Sequence, residues 1–210
     1  MDDDDLVRAV QSGELDVVTA ALRGKKVNAS TFRDSAGCSL LHWAAANNRM
    51  AIANVLLDHH VEVDVGGGLR GESPLMWAVR GKHFYHMLGL LLSRGQANLA
   101  FKSAEGIDAL HLAVRLGHVN TVLFLLDKGA DPNTVDSAGQ TPLHWLLKNR
   151  GGPQLARPLR LLLRFGGSVS HCDPVTMNTA LHLCVLAPDV DYRSAMLIHQ
   201  VRDDGEMMKW

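Results

Sequence analysis

The feature that most constrains the fold is a seven-residue segment that recurs along the chain. Five copies of this signature segment align: SLLHWAA from Ser39, SPLMWAV from Ser73, DALHLAV from Asp108, TPLHWLL from Thr141 and TALHLCV from Thr179. Their fourth residues lie 34, 35, 33 and 38 positions apart, at His42, Met76, His111, His144 and His182. A period of this length indicates one supersecondary unit stacked repeatedly, because a single unit cannot bury its apolar face alone.

Turn and helix signals alternate around each copy. The sequences DSAG, SAEG and DSAG precede three of the copies, and their final glycines can adopt positive φ at Gly37, Gly106 and Gly139. A second apolar run follows each copy and ends at a break, as in VLFLLDKGADPN from Val122. We therefore predict a helix, a turn, a second helix and a hairpin in each unit.

The signature segment resembles the T-P-L-H-x-A pattern of ankyrin repeats, whose period is about 33 residues. The resemblance implies an all-α ankyrin-repeat solenoid of about six helix-turn-helix units with β-hairpin tips. We predict a single domain over residues 1–210, with first helices and hairpin tips lining a concave face. The repeats are expected at approximately 2–33, 34–66, 67–101, 102–134, 135–171 and 172–204.

Three places depart from the repeat pattern. The first unit lacks the signature but keeps its small and apolar positions, so we interpret it as a capping repeat with the acidic run Asp2 to Asp5 at the start of its first helix. The stretch from Asn149 to Pro158 is predicted to form a surface loop. Met177 replaces the turn glycine, which predicts an irregular hairpin in the sixth unit.

Composition narrows the class of partner. Lys and Arg total 21 against 22 for Asp and Glu, a formal net charge of −1 that gives no electrostatic argument for nucleic acid or an anionic membrane. The acidic start MDDDD does not resemble a secretory signal, and the apolar runs are too short to span a bilayer.

Three cysteines without paired spacing favour a reducing compartment. We expect a soluble, cytoplasmic, monomeric chain that does not insert into membranes.

No catalytic or cofactor motif is present in the sequence. The histidines of the signature segments stand a full repeat apart, too far to converge on a metal, and we expect them to bond backbone groups of the adjacent hairpin instead. Cys184 occupies a small-residue position and is expected to be buried, whereas Cys38 and Cys172 belong to hairpins and are expected to be exposed. We therefore predict no metal, no cofactor and no enzymatic activity in this chain.

Several longer stretches resemble the ankyrin domain of the DHHC protein S-acyltransferases, or palmitoyltransferases. They include LLHWAAANNR from Leu40, VDVGGGLRGESPLMWAVR from Val63, RLLLRFGGSVS from Arg160 and NTALHLCVLA from Asn178. In that family an ankyrin stack precedes transmembrane helices and a catalytic cysteine-rich domain. The resemblance implies a docking region for substrates, either as a fragment of such an enzyme or as a separate product.

A free-standing ankyrin adaptor or inhibitor unrelated to acylation is the alternative. The C-terminal EMMKW sequence offers no polar capping helix, so we expect the chain to be a fragment of a longer protein.

The resemblance also implies a peptide-binding site. Asn47 and Trp77 match the Asn and Trp with which the family holds a disordered segment that has aliphatic or β-branched residues followed by Gln-Pro. The alternative is that Trp77 simply packs between units, as expected for Trp43 and Trp145 at the same repeat position.

A row of cations forms the second part of the predicted site. Arg80, Arg115 and Lys148 occupy equivalent places in successive repeats, which predicts a partner with acidic character near them. The alternative is that these residues are solvated helix positions with little effect on binding.

Overall fold

The computed structural model describes residues 2–24, 27–81, 85–148, 155–180 and 182–183. The chain divides into two compact units, residues 1–104 and 105–210. The first contains α1 (Asp3–Ser12), α2 (Leu15–Arg23), α3 (Leu40–Ala46), α4 (Met50–Asp58), α5 (Pro74–Arg80) and α6 (Tyr85–Ser93). The second contains α7 (Ala109–Arg115), α8 (Val119–Asp127), α9 (Pro142–Lys148) and α10 (Ala156–Arg164).

Helix pairs are the building block of both units. In the first unit α1 packs on α2, α3 on α4 and α5 on α6, while α1, α3 and α5 stack in sequence beside the second row of α2, α4 and α6. In the second unit α7 packs on α8 and α9, and α10 packs on α8 and α9. The predicted helical repeat fold is confirmed. The five pairs lie in the first five predicted repeats, and of the sixth only residues 172–180 and 182–183 are described.

The first helix of each pair begins at a residue with a hydrogen-bonding side chain. Ser73 accepts from the backbone N–H of Met76, and Pro74 follows at a position where no N–H is needed. Asp108 accepts from the N–H of His111 in the same way. Small side chains then let neighbouring helices approach closely, since Ala44, Ala78 and Ala113 are completely buried.

The turns before the first helices have the predicted backbone conformation. Gly37, Gly106 and Gly139 all have positive φ, between 72° and 77°. Neighbouring turns bond to one another, because the N–H of Gly68 donates to the carbonyl of Ala36 at 3.0 Å. Over the described ranges the β structure consists of one isolated antiparallel bridge, between Gly67 and Glu72, so the hairpin tips of the other units stay a prediction.

The structure describes parts of the three places where the sequence departs from the repeat pattern. Asp2 caps α1 and forms a reciprocal capping box with Asp5, as the acidic start suggests. The surface loop predicted from Asn149 to Pro158 is wrong at its C-terminal end, because α10 begins at Ala156 and Pro158 is buried in its first turn. Proline fits there because the N–H groups of the first turn have no partner within the helix. The remainder of that stretch, 149–154, lies outside the described residues. Met177 has a φ of 54°, the left-handed conformation that glycine adopts in the other turns.

None of the helices in the described part of the chain is both long enough and apolar enough to cross a bilayer.

Candidate peptide-binding groove

The signature histidines tie each first helix to the turn that follows its repeat. His42 accepts at Nδ1 from the N–H of Ser39, which makes the ring neutral, and its Nε2 donates to the carbonyl of Glu72 at 2.9 Å. Burial lowers the pKa of His42, consistent with a neutral ring. His144 repeats the arrangement, with Nε2 donating to the carbonyl of Asn178 at 3.1 Å. The predicted structural role of these histidines is confirmed.

The cysteines do not form a nucleophilic site in the part of the chain that the structure describes. Cys38 is buried, not exposed as predicted, because its side chain packs under the turn at Gly68. Burial, reinforced by the nearby Asp34 carboxylate, raises the pKa of the Cys38 thiol to about 11, which disfavours the reactive thiolate. Cys172 is exposed as expected, and Cys184 lies outside the described residues. The same part of the chain contains no group of three potential metal ligands.

An open groove of about 420 Å³ lies in the first unit, between the end of α3, the turn before α5 and α5 itself. Its lining combines small residues, one aromatic ring and charged groups: Ala46, Gly67, Gly68, Leu69, Arg70, Glu72, Trp77 and Arg80. Leu69 at the tip of the turn is fully exposed. The groove is therefore an accessible surface that offers both apolar and polar contacts.

Small residues leave the space that this groove occupies. Ala46 stands at the repeat position that carries the long cationic side chains in the next three units. Gly67 has no room for a side chain, since a Cβ there would lie 2.8 Å from Nε2 of His42. The Gly-Gly turn thus packs directly against the histidine ring, and its backbone forms one wall of the groove.

Trp77 differs from the two other tryptophans at its repeat position. The indole N–H of Trp43 donates to Asp34, and that of Trp145 donates to Asp136, both at 2.8 Å. Trp77 is partly exposed in the groove, and its Nε1 has no hydrogen-bond partner within the described ranges. The ring is held edge-to-face against Trp43 and His42, with centroids 5.2 Å apart in each pair. Trp77 therefore packs between repeats, as the alternative interpretation proposed, and also presents a polar edge to solvent.

Asn47 lies beside the groove, not among its lining residues. It caps the C-terminus of α3 directly after Ala46, and its side chain is exposed. Its Nδ2 donates to the carbonyl of Trp43 at 2.9 Å, which fixes the amide at the helix end. This bond uses one amide hydrogen and orients the side chain without occupying its oxygen.

Arg80 forms a two-point ion pair with Glu72 at the floor of the groove. Its Nη2 lies 2.6 Å from Oε1 and its Nε lies 3.0 Å from Oε2 of that carboxylate. Glu72 is 3% exposed, whereas the Arg80 side chain is 39% exposed. The pair was not predicted from the sequence, because the two residues meet only through the turn before α5.

Arg115 and Lys148, the other predicted cations, lie in the second unit. Arg115 stands 3.9 Å from a carboxylate oxygen of Glu105 and 5.4 Å from the ring centroid of Trp145. Lys148 donates to the buried Asp173 at 2.9 Å and holds the pKa of that carboxyl well below its ordinary value. Each of the three predicted cations therefore has a carboxylate neighbour that offsets part of its charge.

Comparison with known proteins places these features in a family. The family model for ankyrin repeats in three copies matches residues 6–100 and 75–159. A crystal structure of an ankyrin repeat domain from Acinetobacter baumannii superposes with a TM-score of 0.80 and is 25% identical, over 95% of this chain and 98% of that one.

The curated relatives are palmitoyltransferases. A putative palmitoyltransferase ZDHHC13 of Danio rerio is 33% identical over 89% of this chain and 28% of its own length. Palmitoyltransferase Hip14 of Drosophila melanogaster is 34% identical over 92% of the chain and 29% of its own length, and the human ZDHHC13 is 37% identical over 75% and 25%. The chain spans less than a third of each of these relatives. It belongs to the ankyrin-repeat family and resembles the ankyrin region of DHHC palmitoyltransferases.

Proposed function

We propose that this chain binds an extended, disordered segment of a partner protein in the groove beside Asn47 and Trp77, on the concave face expected of an ankyrin stack. In this proposal it recruits substrates for a DHHC palmitoyltransferase. The observation that carries the proposal is the groove itself, where Trp77 packs edge-to-face against two aromatic neighbours and stays partly exposed. The palmitoyltransferase relatives support the recruiting role.

Trp77 and Asn47 supply different contacts to the segment. The flat indole face offers a surface on which a proline ring packs, and full burial of such a ring contributes about 2 kcal/mol or more. The exposed Asn47 oxygen accepts a backbone N–H of the ligand, while its nitrogen is anchored to Trp43. Because the anchored amide is already oriented, little side-chain entropy is lost when the ligand binds.

Electrostatics form a weaker part of the proposal. Arg80 lies in the groove, and we propose that Arg115 and Lys148, in the second unit, contact acidic residues of the partner. Their carboxylate neighbours reduce the expected gain, since the ligand competes with Glu72, Glu105 and Asp173. We expect neutralising Arg115 and Lys148 together to weaken binding by only about threefold and to reduce its salt dependence.

The experiment is direct titration of a fluorescein-labelled peptide that carries two β-branched residues followed by Gln-Pro. Asn47→Ala and Trp77→Ala should each weaken binding by about tenfold or more, with circular dichroism confirming that the helices remain. Asn54→Ala is the matched control, because Asn54 makes the same side-chain bond to its own helix in α4 but lies outside the groove. Absence of binding by the parent chain, or binding by both folded variants as tight as that of the parent chain, contradicts the proposal.

Recruitment is tested separately from binding. Fused to a DHHC catalytic region, the parent chain should increase palmitoylation of a substrate carrying the Gln-Pro segment, and the Trp77→Ala chain should not. Peptide binding without any such increase would leave the chain as an adaptor and would contradict the recruiting role.

The finer architecture is also part of the proposal. We propose that residues 172–204 complete a sixth repeat, that the chain is a monomer and that it acts on the cytoplasmic side. Light scattering coupled to gel filtration tests the monomer, and a mass of twice 22.9 kDa would contradict it.

A further inference from the structure

The three tryptophans of the signature position differ in one polar contact. Trp43 and Trp145 each donate an indole N–H to an aspartate, Asp34 and Asp136, that starts the turn before their helix. Each aspartate lies four residues before the last residue of its turn. In the turn before α5 the last residue is Glu72, and Gly68 lies four residues before it, at the equivalent position. Glycine has no carboxylate, so Trp77 lacks the partner that the other two indoles have.

Nearby acceptors in the groove are already engaged. Both oxygens of Glu72 receive hydrogen bonds from Arg80. The carbonyl of Gly67 accepts from the N–H of Glu72, and the carbonyl of Gly68 accepts from Gly71. The acceptors of Gly67, Gly68 and the Glu72 side chain are therefore engaged elsewhere, and Nε1 of Trp77 has no partner among the described residues.

Two donor groups of the groove lining have no partner within the described ranges. The first is the indole N–H of Trp77. The second is Nη1 of Arg80, because Arg80 bonds to Glu72 only through Nε and Nη2. A ligand that matches such a surface carries carbonyl oxygens and few N–H groups. A segment containing proline meets this requirement, because proline has no N–H and favours an extended backbone whose carbonyls point outward.

Resting on the proposed function, we infer that the indole N–H of Trp77 donates a hydrogen bond to a backbone carbonyl of the bound segment. Trp77 then selects its ligand in two ways, by the apolar face of its ring and by the polar edge. Because position 68 has no carboxylate, the N–H that is an internal structural donor in Trp43 and Trp145 is left for a partner in Trp77.

The test separates the N–H from the ring. Replacing Trp77 with benzothienylalanine by codon suppression keeps the bicyclic ring but puts sulfur in place of the N–H group. We expect this replacement to weaken binding of the fluorescein-labelled Gln-Pro peptide by about fivefold to tenfold, the usual effect of one lost hydrogen bond. The same replacement at Trp145 is the control, because that N–H is bonded to Asp136 and Trp145 does not line the groove; it should lower stability and leave affinity unchanged.

A second pair of variants tests the converse. A Cβ at position 68 would lie 3.5 Å from Cζ2 of Trp77, so Gly68→Asp brings the missing carboxylate next to the indole. Gly68→Ala adds a Cβ at the same φ of 69° without a carboxylate, and it bears more backbone strain than Asp, so both affinities are compared between variants of matched folded fraction. We expect Asp to weaken binding at least threefold more than Ala, because it engages the indole N–H internally.

The outcomes distinguish this inference from the proposed function. If the parent chain does not bind the peptide, the proposed function fails. If the parent binds and Trp77→Ala does not, but benzothienylalanine at position 77 binds as tightly as tryptophan, the groove is correct and the hydrogen bond is wrong.

Discussion

Asp108 and His111 form a buried hydrogen bond in the second unit, with 2.9 Å between Oδ1 and Nδ1 and with side chains 2% and 0% exposed. Nε2 of His111 lies 3.0 Å from the carbonyl oxygen of Gln140, so both ring nitrogens face oxygen atoms that can accept hydrogen bonds. At His42 the hydroxyl of Ser39 stands where the carboxylate stands here. The imidazole at one repeat position therefore has a hydroxyl neighbour in one unit and a carboxylate neighbour in another.

Removing the carboxylate of this pair should be costly. Asp108→Ala leaves a ring nitrogen of His111 buried without its acceptor and removes the cap of α7, and we expect the free energy of unfolding to fall by about 3 kcal/mol. Asp108→Ser recreates the Ser39 arrangement and should cost only about 1 kcal/mol. Urea denaturation measures both losses, and equal losses for Ala and Ser would show that a Ser hydroxyl does not replace the carboxylate as the acceptor for His111 and the cap of α7.

The pH dependence of stability follows from the buried histidines. Burial lowers the pKa of His42 and His144 below the value of about 6.5 found in unfolded chains. As the pH falls below about 6.5, the unfolded chain binds protons that the folded chain excludes, so the free energy of unfolding decreases. Thermal unfolding between pH 7.5 and pH 5.5 should show this decrease.

Proton NMR identifies the groups responsible for that decrease. The ring protons of His42 and His144 should titrate at a lower pH than those of an unfolded histidine, whose pKa is about 6.5. A titration midpoint at or above 6.5 for both rings would contradict the account.

Asp108 acts in a lower range of pH. Burial alone would raise its pKa, but hydrogen bonds from His111 and Thr134 outweigh this effect and lower it. Its contribution is present above a pH of about 3.9 and is lost as the pH falls through the lower pKa of the folded chain.

Repetition made the scaffold predictable from the sequence. His42, His111 and His144 recur at one position, and a residue that recurs at one position of a stack meets the same backbone neighbours in each unit. That regularity predicted the helix pairs and the bonds to the following turns. Even the contact of Asp108 with His111 had a signal, since Asp108 replaces the Ser or Thr found at the start of the other signature segments.

The candidate site was less predictable because it arises where the repeat is broken. Trp77 was singled out by resemblance, but its unpaired N–H depends on the absence of a side chain at Gly68, and the contact of Asp34 with Trp43 is visible only in three dimensions. Ala46 looked like an ordinary helix residue, yet its small size opens the groove. The pairing of Arg80 with Glu72 depends on the path of a turn, which spacing alone does not give.

The ion pair between Arg80 and Glu72 should stabilise the first unit. Arg80→Ala leaves the Glu72 carboxylate buried without a counter-charge, and we expect a loss of about 3 kcal/mol in the free energy of unfolding. Changing both residues to Ala should cost less than Arg80→Ala alone, because no buried charge remains. A double variant whose loss equals the sum of the two single losses would show that the residues act independently.

Two glycines of the first unit should respond in opposite directions to alanine. A Cβ at Gly67 would lie 2.8 Å from Nε2 of His42 and 3.0 Å from the Cα of Cys38, so Gly67→Ala should destabilise the chain by about 1 to 3 kcal/mol. Gly89 in α6 has open space around it, and Gly89→Ala should stabilise the chain by about 0.5 to 1 kcal/mol. Urea midpoints that move in the same direction would contradict the packing described at the Gly-Gly turn.

The central claim is that a partner segment binds in the groove of the first unit. The most direct measurement is a ¹⁵N–¹H NMR titration of the chain with the unlabelled Gln-Pro peptide, with the indole signals assigned by single Trp→Phe variants. The account predicts that the Trp77 indole N–H and the backbone amides from Gly67 to Glu72 shift most, while the indole N–H groups of Trp43 and Trp145 stay bonded to their aspartates and shift little. Saturable shifts confined to other residues, with Trp77 unchanged, would contradict it.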